Sequence, residues 1–269
     1  DIFGYYIISI GRPSSRDFSE YLQLFVNDPL NREVFDSVQN KFPDLTDIEE
    51  ELSLAFKIFR YYYPDQEIPV AVSYVSRFNQ PTFTVSNYIG IGLDMYLGSS
   101  SGFYKQMNLP EYRRRFMIPE KISSDALFTW TNASFPFNDS INNSLSNMIH
   151  QGKLLYFLSR LLPNQTDEMI IGYTSDQLNW CEKNAEQMWM YLIEHKLLFS
   201  QDPLVIRKLT GMAPFTSYFT DMSPGRAGVW IGWQIVKKYM QKSKHVSLQE
   251  LMSNTDYESI LRISGYNPK

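Results

Sequence analysis

The sequence of 269 residues holds one cysteine and three histidines, carries no surplus of positive charge, and has no apolar run near the roughly 20 residues that span a bilayer. A lone Cys181 excludes an intrachain disulfide and a cysteine-based zinc knuckle, and reads as a core residue. His150, His195 and His245 stand far apart, so no pair lies one helical turn apart as a two-histidine zinc helix requires. Three histidines on separate helices could still converge. Lys and Arg number 25 against 29 Asp and Glu, a net charge of −4 with the signs interspersed, which excludes a phosphate-binding groove and hence a nucleic-acid partner. The one dense basic cluster, Lys237, Lys238, Lys242 and Lys244, falls at the end of a helical pattern, where cations complement the helix dipole. No nucleophile elbow, P-loop or dinucleotide fingerprint occurs, and "YIGIGLDMYLG" has the wrong glycine spacing for the last. A Ser-His-Asp site assembled from distant residues stays open, with nothing pointing to one.

What is present is apolar material: 43% hydrophobic and 15% aromatic residues are ample for a core without staples. There is no repeat, low-complexity tract or long linker, so residues 1–269 read as a single domain. A helix is expected over residues 17–27, and a second from the capping pattern Thr46-Asp-Ile-Glu49 to about Tyr63, where Pro64 and Asp65 stop it. Residues 69–97 change texture to Val, Ile, Thr and Tyr separated by turn residues, which predicts a small antiparallel sheet. Beyond Leu109 every segment is helical in pattern, with starts near Ser123, Asp139, Thr174, Pro203, Gly225, Ser247 and Thr255. Strands that do not alternate with helices make the class α+β, mostly helical, with the sheet packed on the helices that begin near Thr46 and Ser123.

The helix of "SNMIHQGKLLYFLSRLLP" tests for half a metal site. Ile141, Leu145, Met148, Ile149, Gly152, Leu155, Tyr156 and Ser159 share one stripe, whereas His150 lies opposite with Leu154, Phe157 and Leu161. Apolar residues nearly all round mean burial on both sides, and a lone histidine there reads as a structural residue, with Gln151 between the faces. In "SPGRAGVWIGWQIVKKYM", Gly228 and Gly232 share a face that lets another backbone approach. Arg226, at the start of that helix, needs a carboxylate or carbonyl partner if it is buried.

"GKLLYFLSRLLP", "IGYTSDQLNWCEKNAEQMWMYLIEHKLLFS", "APFT", "SPGRAGVWIGWQIVKKYM" and "ILRISGYNPK", with "IGIGLDMYLG" and "PEYRRRFMIPE" upstream, occur in an order that resembles the gliding-motility lipoprotein GldB family of the Bacteroidetes cell envelope, over residues 18–269. That family is in turn distantly similar to predicted zinc-dependent proteases of the zincin kind. The resemblance implies a degenerate zincin-like architecture in which the helix at residues 123–135 replaces the H-E-x-x-H helix and Gln151-Gly152 replaces a Glu-Gly ligand segment. No catalytic residue, metal ligand or cofactor is then expected, and His150, Gln151 and Arg226 would line a vestigial cleft. It further implies an envelope lipoprotein held to the membrane by a removed N-terminal anchor, and a protein or peptide partner, for instance an extended segment lying along residues 73–87. An unconventional peptidase or hydrolase and a carbohydrate-binding lipoprotein are the alternatives.

Overall fold

The computed structural model describes residues 2–269. They divide into two compact units, one made of the chain up to Ser53 with Glu67–Trp130, the other of Leu54–Gln66 with Thr131–Lys269. The architecture is mostly helical α+β, as the segment pattern implies.

The first unit opens with a π-helical turn at Phe3–Ile7, followed by helices α1 (Phe18–Asn27) and α2 (Pro29–Lys41). Asp28 separates them: its carboxylate accepts from the amides of Leu30 and Asn31, while Pro29 fits the first helical turn, where no intrahelical donor is needed. Helix α3 (Thr46–Tyr62) contributes residues to both units. Strands β1 (Val70–Tyr74), β2 (Thr82–Val85) and β3 (Tyr88–Gly92) follow, and then the short helices α4 (Gly102–Gln106) and α5 (Glu111–Arg114) and the longer α6 (Ile122–Ser134).

The sheet corrects one expectation, because it is mixed rather than antiparallel. Its order is β1-β3-β2; β2 runs antiparallel to β3, but β1 runs parallel to it. The reason lies in β3, "YIGIG", which alternates Ile89 and Ile91, both buried, with two glycines. A Cβ on Gly90 would overlap the Phe83 ring, and one on Gly92 would overlap the Gln80 carbonyl and crowd the Tyr74 ring. The glycines thus admit a residue from each flanking strand, which makes β3 the centre. The loop after β1 is bent by Arg77 and Phe78, both left-handed at φ 60° and 63°, so the chain crosses before β2 instead of folding back as a hairpin.

The second unit is helical: α7 (Ser144–Leu161), α8 (Asp167–Ile171), α9 (Ser175–Lys183), α10 (Ala185–Glu194), α11 (Pro203–Thr210), α12 (Ala227–Lys242), α13 (Leu248–Ser253) and α14 (Tyr257–Ser264). Reciprocal capping boxes start three of them, at Asn143 with Ser146, Thr174 with Gln177, and Ser247 with Glu250. The segment that begins at Thr174 is two helices, divided at Asn184, whose amide donates to the Trp180 carbonyl.

Helices α7 and α12 form the centre of this unit. Both are buried nearly all round, and they cross where a Cβ on Gly152 would overlap the main chain of Gly232 and a Cβ on Gly232 would overlap the Met148 carbonyl. Gly228 meets a different neighbour, the Leu209 carbonyl of α11. The glycine face seen in the sequence therefore serves two contacts. Backbone-to-backbone approach leaves no flexible side chain to yield, so Gly232→Ala is expected to destabilise the protein by about 3 kcal/mol. The thermal midpoint should fall by roughly 6–12 °C on the usual scaling for a chain of this size. A midpoint within a degree of wild type would show that the crossing is looser than this.

Candidate functional site

On α7, His150 is 5% exposed and its ring stands edge-on to Phe137 at 5.2 Å. Its Nε2 is buried without a hydrogen-bond partner among the described residues. Burial, and after it the charge of Lys153, pull its pKa down to about 4, so the ring is neutral at ordinary pH.

The sequence reading missed Lys153, one turn further on. It is 2% exposed, and its Nζ donates to the carbonyls of Met252 at 3.0 Å and Asn254 at 2.7 Å. The Tyr257 ring centroid lies 5.6 Å from the same nitrogen. These carbonyls end α13, where unpaired oxygens and the helix dipole favour a cation. Burial still lowers the Lys153 pKa to about 8. The signal was legible as a single lysine in a helix otherwise apolar on every side, since such a cation must find oxygen partners inside the fold.

Gln151 follows His150 and is half-buried, just before the Gly152 crossing. Arg226 sits at the start of α12 in a left-handed conformation, φ 62°, with Nη1 3.4 Å from the Ile171 carbonyl and 3.7 Å from the Met212 sulfur. Of the two partners that the sequence left open, a carboxylate or a carbonyl, this contact is to a carbonyl. Beside it the buried Tyr173 donates to the Gly225 carbonyl at 2.6 Å. Thus His150 and Gln151 are neighbours on α7, whereas these contacts of Arg226 are with Ile171 and Met212.

Two hollows open in the same unit. The larger, of ≈ 710 Å³, has walls of Tyr156, Trp230 and Tyr266, with Glu182, Gln234 and Lys238 as polar groups. A smaller one, of ≈ 280 Å³, lies among Asn143, Ser146, Asp256 and Tyr257. None of His150, Gln151 and Arg226 lines either.

The first unit contains a separate polar cluster. Asp94, fully buried, accepts through Oδ2 from the Ser76 amide at 3.2 Å, the Ser76 hydroxyl at 3.3 Å and the Phe78 amide at 2.5 Å. Burial raises its pKa against these lowering contacts. The carboxylate thereby fixes the left-handed loop that makes the sheet mixed. Nearby, Tyr96 donates to Asp125 Oδ2 at 3.1 Å, and Asp125 Oδ1 lies 2.9 Å from Lys121 Nζ, which also donates to Ser124 Oγ at 2.9 Å. A serine beside a lysine is the arrangement of some hydrolases, but here the lysine is ion-paired with Asp125. Ser124 is fully buried, and its hydroxyl donates back to the Lys121 carbonyl at 3.1 Å. Among the described residues no three His, Cys, Asp or Glu side chains gather closely enough to share a metal ion, and no helix is long and apolar enough to cross a membrane.

The two depressed pKa values on α7 fix a pH dependence. Between about pH 6.5 and 4 the unfolded chain protonates His150 while the folded one does not, so stability is lost as pH falls through this window. For Lys153 the window runs from about 10.5 down to 8, with stability again greater on the alkaline side. Thermal melts of wild type and His150→Gln between pH 7 and 4 check the first: the acid-side slope should flatten in the variant. Parallel curves would contradict it.

A family model described as "Gliding motility protein GldB" matches residues 1–268 of the chain. No curated protein and no solved structure matches significantly.

Proposed function

The chain belongs to the GldB gliding-motility family, and from that premise we propose that it is a non-catalytic lipoprotein of the cell envelope that serves the gliding machinery by binding other proteins. The observation that supports this reading is the employment of its internal reactive groups. Lys153 is occupied by two carbonyls, Lys121 by Asp125 and Ser124, and Asp94 by the loop at residues 76–78. His150, whose Nε2 has no partner among the described residues, is buried and neutral against Phe137. A general base or nucleophile must reach its substrate, and each of these groups is instead turned into the protein.

The zincin-like ancestry belongs to this reading too. Where a protease of that kind would carry Glu-Gly, this chain has Gln151-Gly152; the amide is a poor metal ligand, and the glycine is needed for packing against Gly232. The alternative of an unconventional hydrolase requires one of the occupied groups to come free. A carbohydrate site would use the larger hollow, but Trp230 there is only 4% exposed and offers little ring face for a sugar.

The test is complementation of a gliding strain that lacks the gene, using His150→Gln and Gln151→Ala. Colony spreading should equal that of the wild-type gene at equal protein level. Loss of a general acid or base costs about 10²-fold or more in rate, so a collapse of spreading by either variant, with unchanged abundance, would overturn the reading in favour of an enzyme.

A further inference from the structure

Strand β1 is an edge, since the sheet ends there. Native proteins guard such edges with a lysine, a proline or a bulge, yet "VAVSY" contains none of these, and four of its five residues are exposed. The Val70 amide donates to the Asn87 carbonyl at 2.8 Å, which sets the phase of the parallel ladder: Val70, Val72 and Tyr74 pair inward with β3. By alternation the N–H and C=O groups of Ala71 and Ser73 point outward. The side chains of Val70 and Val72 lie on one face with Tyr88, at 52%, 46% and 50% exposure. An unguarded edge therefore adjoins an exposed apolar face.

We infer that this edge pairs with the same edge of a second copy of the chain, antiparallel, about a two-fold axis passing beside Val72. The pattern is self-complementary about that residue. With Val72 opposite Val72 of the second copy, Ala71 falls opposite Ser73 and each pair exchanges both of its outward hydrogen bonds, giving four across the axis. On the apolar face the two Val72 side chains meet each other at roughly 5 Å between Cβ atoms, while the Tyr74 ring stays turned inward against Phe83 and Phe3. Moving the axis to Ala71 would set Ser73 against Pro69, which has no N–H to donate, so a bond is lost. The strand carries no charge, so nothing repels at the axis. The product is a continuous six-stranded sheet, built from two three-stranded sheets. A chance partner strand would meet the same free donors and acceptors, but only a second copy is guaranteed to match both the bond spacing and the apolar alternation. The inference is independent of the proposed binding role.

Sedimentation equilibrium of the full chain across a concentration series, with Val72→Lys, Val72→Glu and Ala71→Pro, tests it. The wild type should associate to a dimer in the micromolar range. Each single Val72 variant should weaken the dimer about tenfold or more, because like charges then face each other across the axis. An equimolar mixture of the lysine and glutamate variants should recover association, since opposite charges now meet. Ala71→Pro removes an outward N–H without touching the pairing with β3, and should weaken the dimer while the thermal midpoint of the dilute protein stays unchanged. The inference is overturned if the wild type is monomeric at every concentration. It is equally overturned if a dimer forms but ignores Val72 charge, or if the mixture does no better than either variant alone, because the edge would then be free or paired with something other than itself.

Discussion

Two glycines set the geometry of the helical unit. Where α7 crosses α12, Gly152 and Gly232 bring main chain against main chain, closer than any side chain would allow. Once the helices are seated this closely, α7 has no solvent face left over most of its length, and its buried polar residues depend on partners inside the protein, which Lys153 finds and His150 Nε2 does not among the described residues. Lys153 follows from this constraint. It is carried into the interior and balanced there by the carbonyls that end α13, which in turn holds the chain entering α14 beside the central helix. One close approach thus dictates where a charge is buried and which segments it fastens.

The first unit solves a comparable problem with the opposite sign. Asp94 is a buried carboxylate whose donors come from a loop that needs two left-handed residues to present them. Asp94 Oδ2 takes two amides and a hydroxyl, with Oδ1 left buried without a partner among the described residues, and Lys153 Nζ sits between carbonyls, which are two ways to keep charge inside a fold. In both cases the ionic group fixes chain geometry.

Much of this was legible in the sequence because it is local. The stripe on α7 from Leu145 onward, the capping residues and the glycine face of α12 are stated by spacing alone, whereas Ile141, expected on that stripe, lies before α7 and is exposed. The mixed sheet was not legible, since strand order depends on which strand takes the centre, and that was decided by Phe83 of β2 and Tyr74 of β1 fitting against glycines of β3. Lys153 was passed over because its partners lie 99 and 101 residues away. Asp94, met only as part of a run with the wrong glycine spacing, depends on a loop 16 to 18 residues earlier. Family membership was legible through the order of short motifs, each weak by itself, and the family match spans residues 1–268.

Because the α7–α12 crossing underlies the rest of the helical unit, its amides should be the last to open. Native-state hydrogen exchange followed by mass spectrometry measures this directly. The slowest exchange is expected in the buried stretches of α7 around Met148 to Leu158 and of α12 around Val229 to Val236, with α13 and α14 opening earlier. If the terminal helices α13 and α14 outlast α7 and α12, the crossing is not what holds the unit together, and the account fails at its centre.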